Sequence, residues 1–120
     1  MTSFAGKNVL ITGSASGIGR LMAQKIAARG GHVILWDIDR AGLEALADQL
    51  EHWGYRAATY QQCDLSDREE IETTARLVLA EHGDVDILIN NAGIVSGKPL
   101  LELTDEAIKR TFDINTLALF

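Results

Sequence analysis

Apolar and polar positions alternate along this chain in blocks that predict strands and helices in turn. Short apolar runs rich in Val, Ile and Leu indicate buried strands, and each is followed by a segment with apolar residues at helical spacing. The predicted strands cover residues 8–11, 32–36, about 56–61 and 85–89. Helices are predicted over residues 16–29, after Asp39, after Ser66 and over residues 104–120. This alternation is typical of an α/β fold with a parallel sheet.

Residue types at the ends of the helical segments support these assignments. Asp39 and Ser66 favour helix N-termini, and Glu69 follows Ser66 at the spacing of a capping box. Glycines, which favour helix ends, follow the first three helical segments at Gly30, Gly31, Gly54 and Gly83. The stripes predicted to face the core are Ile18, Leu21, Met22 and Ile26, then Leu43, Leu46, Ala47 and Leu50, then Ile71, Ala75 and Val78.

The connections between strands set the predicted topology. Right-handed crossovers place the four strands in the order 3-2-1-4, with helices on both faces. The fold class is therefore a doubly wound parallel α/β sheet, with one domain over residues 1–120. The fourth strand is apolar apart from Asp86, which predicts that it is covered on both faces.

The glycine-rich stretch between the first strand and the first helix is the leading candidate for chemistry. Gly13, Gly17 and Gly19 form the pattern Gly-x-x-x-Gly-x-Gly at the start of a helix. Unpaired N–H groups and the helix dipole attract phosphate there, and glycines let the backbone approach it closely. The alternative is a glycine-rich connection that binds no ligand.

Together with the preceding threonine, this stretch resembles the short-chain dehydrogenase/reductase family. The motif Thr-Gly-x-x-x-Gly-x-Gly occupies residues 12–19, and the resemblance extends over nearly the whole chain. It implies a Rossmann-type fold, of which these residues form the N-terminal part, and a bound NAD or NADP. The cofactor-binding residues that it implies here are Gly13, Ser14, Ser16, Gly17, Ile18 and Gly19.

Asp37, at the end of the second strand, indicates which nicotinamide cofactor is bound. Its carboxylate can accept hydrogen bonds from the ribose hydroxyls of adenosine, and its charge repels a 2′-phosphate. Ile38 follows it, and we expect the only close cation, Arg40, to point outward from the start of a helix. The prediction is therefore NAD, not NADP. A solvated loop aspartate or a helix cap is the alternative.

The segment after the third strand carries a second possible contact with adenosine. Cys63-Asp64-Leu65 resembles the family's pattern, in which the aspartate binds the adenine amino group and the backbone of the next residue touches the base. The resemblance thus implies that Asp64 and Leu65 bind the cofactor, and turn chemistry before Ser66 is the alternative. Cys63 is predicted to be a small core residue, not a nucleophile.

Asn90-Asn91-Ala92-Gly93, at the end of the fourth strand, matches another motif of the family. The resemblance implies that Asn91, Ala92 and Gly93 line the ribose on the nicotinamide side, and that Asn90 ties neighbouring strands together. Small residues suit this position because cofactor and backbone come close beyond the carboxyl ends of the strands. The alternative is that these asparagines only form a turn.

Asn115 is the one residue for which the resemblance implies a catalytic role. It falls on an apolar stripe of the last predicted helix with Ile108, Phe112 and Leu119, where a polar group is unfavourable unless its hydrogen bonds are met. In the family the matching asparagine holds a water that links to an active-site lysine in a proton relay. A core asparagine satisfied by the backbone is the alternative.

The other residues that carry the family's reaction are absent from this sequence. The family uses a serine after the fifth strand and a Tyr-x-x-x-Lys motif, but neither Tyr55 nor Tyr60 has a lysine four residues later. We expect a truncated chain, or one part of a longer one, that is inactive alone. The complete protein would transfer a hydride between NAD and a secondary alcohol or ketone. A non-catalytic nucleotide-binding or interaction module with the same fold is the alternative.

Composition argues against some classes of binding partner and indicates the cellular compartment. A net charge of −6 argues against nucleic acid and anionic membranes, and no stretch approaches the roughly 20 apolar residues of a membrane span. The single cysteine excludes an internal disulfide, and we expect a cytoplasmic protein. The three histidines lack the spacing of metal ligands. The resemblance also implies a homo-oligomer, and residues 97–101 are faintly similar to family members that act on retinoids and steroids.

Overall fold

The structure is a computed structural model that describes residues 3–56 and 58–92. The predictions for Gly93, for Asn115 and for a helix over residues 104–120 lie outside the described residues. Strands and helices alternate along the described ranges. The strands are β1 (Asn8–Thr12), β2 (His32–Asp37), β3 (Thr59–Gln62) and β4 (Ile87–Ile89), and the helices are α1 (Gly17–Ala28), α2 (Arg40–His52) and α3 (Arg68–His82).

The described strands form one parallel sheet in the order β3-β2-β1-β4, which confirms the predicted topology. Within it, Ile11 of β1 is in register with Leu35 of β2 and with Ile89 of β4. Because the strands are parallel, their carboxyl ends meet at one edge of the sheet. The segments that follow β1, β2, β3 and β4 are therefore brought together at that edge.

Both faces of the sheet are covered at its central strands, β1 and β2. Val9 and Ile11 point to the face that packs against α1 and α2, whereas Leu10 points to the face that packs against Val78 of α3. All of these side chains are buried. Burying each such large aliphatic side chain contributes about 1.5–3 kcal/mol, so the two-sided core fixes the sheet that carries the candidate site.

The buried face of α1 differs from the predicted stripe. Ile18 and Leu21 are 71% and 50% exposed, whereas Ile26 is buried and Met22 is partly buried. The buried positions of this helix are Gly19, Ala23, Ile26 and Ala27. Small residues allow the helix to approach the sheet closely, and this turns the larger Ile18 and Leu21 away from the core.

Helix α2 agrees with the prediction at both its start and its buried face. Asp39 is the N-cap and its carboxylate accepts a hydrogen bond from Gly42 N. Leu43, Leu46 and Leu50 are completely buried against the sheet.

Helix α3 begins later than predicted, because Asp67 and not Ser66 caps it. The Asp67 carboxylate accepts a hydrogen bond from Glu70 N at 3.2 Å. The Ser66 hydroxyl instead donates to Asp64 at 2.7 Å. Glu69, the predicted second half of the capping box, is exposed. Gly83 ends α3 with a φ of 73°, as predicted.

Strands β3 and β4 are shorter than their apolar patterns predict. β3 begins at Thr59 and not near residue 56, and it extends to Gln62. The predicted start of β4 is taken up by a reciprocal pair of bonds, in which Asp86 N donates to Asn8 O and the Asp86 carboxylate accepts from Asn8 N. β4 lies at the edge of the described sheet, and Leu88 is 53% exposed, so the described residues do not supply the predicted cover on both faces.

Candidate dinucleotide-binding site

The predicted cofactor-binding residues that the structure describes gather at the carboxyl edge of the sheet. The glycine turn, defined as residues 13–19, leads from β1 into α1 and includes the first three residues of that helix. Asp37 ends β2. Asp64 and Leu65 follow β3, and Asn91 and Ala92 follow β4. In open α/β sheets, ligands bind in the crevice outside this edge. The arrangement therefore has the location that a dinucleotide requires.

Gly13 and Gly19 are needed because other backbone lies against them. Gly13 has a φ of +67°, and a Cβ atom there would lie 2.9 Å from the Ala92 Cα atom. A Cβ atom on Gly19 would collide with the Gly13 carbonyl oxygen and with the Asn91 side chain. These two glycines thus let the turn, α1 and the segment after β4 pack together.

Gly17 has a different role, because its surroundings are open. Its φ is +57°, which disfavours other residues, and a Cβ atom there would meet nothing within 4 Å. The open space lies at the first residue of α1, where unpaired N–H groups point. Gly17 therefore leaves a free approach to the helix N-terminus.

The N-terminus of α1 is also unlike those of the other two described helices. Ser16 caps α1 without a side-chain hydrogen bond, and no acidic residue lies in the first turn. Asp39 and Asp67 side chains, in contrast, accept hydrogen bonds from the first turns of α2 and α3. An N-terminus without a carboxylate retains its positive potential and its donors for an external anion. This observation fits a pyrophosphate group.

Ser14 is placed differently from the other serine of the turn. It is completely buried, and its hydroxyl donates to the Trp36 carbonyl oxygen at 3.3 Å. Ser16 and Ile18 are exposed on the surface of the turn. The Ser14 hydroxyl therefore holds the turn against β2 and is not on the surface that a ligand would meet.

Two backbone donors fix the carboxylate of Asp37. One oxygen accepts from Ala15 N at 3.0 Å, and the other accepts from Asp39 N at 3.0 Å. A carboxylate has about four acceptor positions, so two bonds leave capacity for hydroxyl groups. The nearby Arg40 forms an exposed ion pair with Glu44 at 3.1 Å, as expected for a side chain that points outward.

The segment after β3 is held by a network around Asp64. Its carboxylate accepts from Ser66 N at 3.0 Å, and its backbone N–H donates to Glu70 at 3.1 Å. Leu65 is partly buried and packs against the core beside Cys63. Cys63 is itself 1% exposed, and burial raises the pKa of its thiol to about 11, so it stays protonated as a core residue.

Thr12 ties the segment after β4 to the glycine turn, a role that the sequence analysis missed. Its hydroxyl oxygen accepts from Asn91 N at 3.1 Å and from Ala92 N at 3.0 Å. The Asn91 side chain adds a bond to the Gly13 carbonyl at 3.2 Å. Asn90, predicted to tie neighbouring strands together, is exposed. Within the described ranges, the bonds of Thr12 and Asn91 connect the end of β1 to the segment after β4. In the sequence, the threonine that precedes the first glycine is the only sign of this role.

Two of the three histidines lie at the opposite edge of the sheet. The rings of His32 and His82 are 4.7 Å apart between centroids. Asn8 donates through its amide nitrogen to the carbonyls of His82 and Asp84, so its amide oxygen faces His32 Nδ1 at 3.0 Å. His32 Nδ1 therefore carries a hydrogen. Over residues 3–56 and 58–92, no group of three or more His, Cys, Asp or Glu residues is arranged to hold a metal ion.

Comparison with known proteins shows the family. Residues 7–120 match the sequence model of the short chain dehydrogenases. The chain belongs to this family. Among the helices in the described part of this short-chain dehydrogenase chain, none is long and apolar enough to cross a membrane.

Curated relatives of this short-chain dehydrogenase chain include two vertebrate enzymes. Estradiol 17-beta-dehydrogenase 11 of Macaca fascicularis is 45% identical over 118 residues, which cover 98% of this chain and 39% of that protein. Epidermal retinol dehydrogenase 2 of Homo sapiens is 44% identical over 111 residues, which cover 92% of this chain and 36% of that protein. The predicted likeness to retinol and steroid dehydrogenases is thus confirmed, and the chain spans well under half the length of these relatives.

Solved structures confirm the Rossmann-type fold for this N-terminal part. A short chain dehydrogenase/reductase from Burkholderia phymatum in complex with NAD gives a TM-score of 0.91 at 32% identity, covering 99% of this chain and 42% of that one. A metagenomic short-chain oxidoreductase in complex with NADP gives a TM-score of 0.89 at 33% identity, covering 98% of this chain and 53% of that one. Similar folds thus hold both forms of the cofactor.

Proposed function

We propose that this chain is the dinucleotide-binding part of an NAD-dependent oxidoreductase that transfers a hydride between NAD and a secondary alcohol or ketone. Family membership supports an oxidoreductase, and the names of the estradiol and retinol dehydrogenases support an alcohol substrate. The observation that carries the preference for NAD is the carboxylate of Asp37, held beside the glycine turn. When bound, the nicotinamide ring would supply the hydride donor or acceptor.

The glycine turn would hold the pyrophosphate of the cofactor. The N-terminus of α1 has no acidic residue and no side-chain cap, and the space beside Gly17 is open. Backbone N–H groups of Ser16, Ile18 and Gly19 would then bind the phosphate oxygens. Gly13 and Ser14 would act by keeping the turn in place against Ala92 and Trp36.

Asp37 would select NAD over NADP by charge and by hydrogen bonding. Its fixed carboxylate presents acceptors to the ribose hydroxyls, and it would repel a 2′-phosphate at the same place. Arg40 is exposed and forms its ion pair with Glu44, not with Asp37. Both features favour NAD, which lacks the 2′-phosphate of NADP.

The remaining contacts complete the proposed site. Asp64 and Leu65 would bind adenine, and Asn91, Ala92 and Gly93 would line the ribose on the nicotinamide side. Asn115 would hold the water of a proton relay in the complete enzyme, and the 120 residues alone would not turn over substrate. A homo-oligomer and a cytoplasmic location stay predictions from the sequence.

Titration of both cofactors into the product of the complete reading frame tests the proposal. We expect NAD to bind at least about tenfold more tightly than NADP, because a hydrogen bond to a charged group is worth about 1.5–3 kcal/mol. The double variant D37A/I38R should reverse the preference. The control variant Arg40→Gln should leave it unchanged, because Arg40 pairs with Glu44. Tighter binding of NADP by the unmodified protein would contradict the proposal.

A further inference from the structure

Four residues form a closed circuit of contacts that joins the glycine turn to the first turn of α2. Asp37 accepts from Ala15 N with one carboxylate oxygen and from Asp39 N with the other, both at 3.0 Å. The Asp39 carboxylate in turn accepts from Gly42 N at 3.0 Å. Gly42 lies directly against the methyl group of Ala15, which closes the circuit. We call these four residues the Asp37 circuit.

Close packing, and not backbone conformation, accounts for the glycine at position 42. Gly42 lies within α2 and is not among the described glycines with positive φ. Glycine is a poor helix former, so its presence inside a helix calls for a packing reason. A Cβ atom on Gly42 would lie 2.6 Å from an Asp39 carboxylate oxygen and 2.9 Å from the Ala15 Cβ atom.

The contact with Ala15 is the stricter of the two. A carboxylate oxygen can rotate away, whereas the Ala15 Cβ atom is attached directly to the backbone of the glycine turn. Ala15 is also 5% exposed and packs within the core cluster that contains Leu43. An added methyl group at position 42 would therefore separate α2 from the glycine turn, and Asp37 is bonded to both.

We propose that Gly42 is a positioning residue that, through Ala15 and Asp39, sets the carboxylate of Asp37 for the adenosine ribose. The inference rests on the proposed function, in which Asp37 accepts hydrogen bonds from that ribose. Moving either backbone donor turns the carboxylate, and hydrogen bonds weaken steeply as their angles depart from linearity. Gly42 thus determines how much the ribose hydroxyl contributes to cofactor affinity, although Gly42 itself does not contact the cofactor.

A ligand comparison separates positioning from general damage. The product of the complete reading frame is titrated with NAD and with the analogue that lacks the 2′-hydroxyl of adenosine. The unmodified protein should bind the analogue about tenfold more weakly, as expected for a hydrogen bond to a charged group. In Gly42→Ala, NAD should bind about tenfold more weakly, and the loss on removing the hydroxyl should shrink to about threefold or less.

Two further variants complete the design. Ala41→Ser adds one atom on the exposed side of the same turn and should behave as the unmodified protein. The exchange variant A15G/G42A removes the conflict between the two methyl groups and should recover discrimination of the hydroxyl. If Gly42→Ala does not fold, the exchange variant carries the test alone.

The outcomes distinguish this inference from the proposed function. If Gly42→Ala keeps the full tenfold penalty for the missing hydroxyl, or weakens both ligands equally, Gly42 has only a structural role and the inference is wrong. A folded exchange variant that does not recover discrimination also contradicts it. If the unmodified protein does not bind NAD, or binds NAD and the analogue equally well, the role proposed for Asp37 is wrong. The inference about Gly42 is then wrong too, because it depends on that role.

Discussion

The hydroxyl of Thr12 offers the sharpest test of how the site is held together. Thr12 is 5% exposed, and its oxygen accepts from both Asn91 N and Ala92 N while donating to the Ile89 carbonyl. Thr12→Val keeps the shape of the side chain and removes all of these bonds. Thr12→Ser is the matched control, because it keeps the hydroxyl and loses the methyl group.

The structure sets the expected size of the effect. Asn91 N has a second acceptor in the Ile89 carbonyl at 3.1 Å, so it stays partly satisfied in the valine variant. Ala92 N, in contrast, loses the acceptor that the structure shows for it. Leaving one partly buried donor without its partner costs about 1–2 kcal/mol. The segment after β4 would also move away from the glycine turn, so we expect cofactor affinity to fall about tenfold.

Denaturant unfolding and cofactor titration, run in parallel on both variants, measure these effects. Thr12→Val should be less stable than Thr12→Ser and should bind the cofactor more weakly. If the two variants have the same stability and affinity, the hydroxyl bonds do not hold the segment after β4, and our account of this connection is wrong.

The other predictions concern Gly17 and His32. Gly17→Val should abolish NAD binding, because its side chain would enter the open space at the N-terminus of α1, while circular dichroism should still show a folded protein. Gly54→Val is the control. Gly54 has a φ of +80° and open surroundings, so the backbone strain is similar, but this variant should still bind NAD. Normal binding by folded Gly17→Val would mean that the turn is only structural. Burial, followed by the charges of Arg56 and His82, lowers the pKa of His32. The folded state therefore binds a proton at His32 less readily than the unfolded chain does. The stability should be fully present above about pH 6.5, where both states are neutral at this residue, and should fall as the pH drops below it. Urea unfolding at about pH 7.5 and about pH 5.5 measures this loss of stability, and His32→Gln should remove the part that His32 causes. If the unmodified protein is equally stable at both pH values, the role assigned to His32 is wrong.

The parts of the fold that sequence predicts well are those fixed by local chemistry and long-range periodicity. Asp39 caps α2 because its carboxylate reaches Gly42 N, a bond that depends only on neighbours in sequence. The strand order follows from the handedness of crossovers, which is a general property of parallel sheets. Gly83 ends α3 for the same local reason as other C-terminal glycines.

Sequence prediction fails where the pattern allows two local arrangements or where a tertiary contact turns a side chain away. Ser66 and Asp67 can both cap α3. In the structure Ser66 donates to Asp64, and Asp67 accepts from Glu70 N and caps the helix. Ile18 belongs to an apolar stripe, but close packing at Gly19 turns it to the solvent.

Some residues of the candidate site can likewise be predicted from the sequence, and others cannot. Its glycines and Asp37 are evident from their spacing, because the strand, the turn and the helix are contiguous in sequence. Thr12 and Gly42 are not, because their partners, Ala92 and Ala15, lie far along the chain and are brought close only by the sheet edge. A threonine before the glycines and a glycine inside a helix are ordinary residues until those partners are seen.

A crystal structure of the product of the complete reading frame with NAD would show whether the glycine turn and Asp37 bind the cofactor. We expect the pyrophosphate at the N-terminus of α1, beside Gly17, and the adenosine ribose hydroxyls within hydrogen-bond distance of the Asp37 carboxylate. Crystals grown without nucleotide and soaked with NADP at the same concentration should show no ordered nucleotide or a displaced ribose. If NAD binds elsewhere, or if its adenosine ribose makes no contact with Asp37, the proposed binding site is wrong.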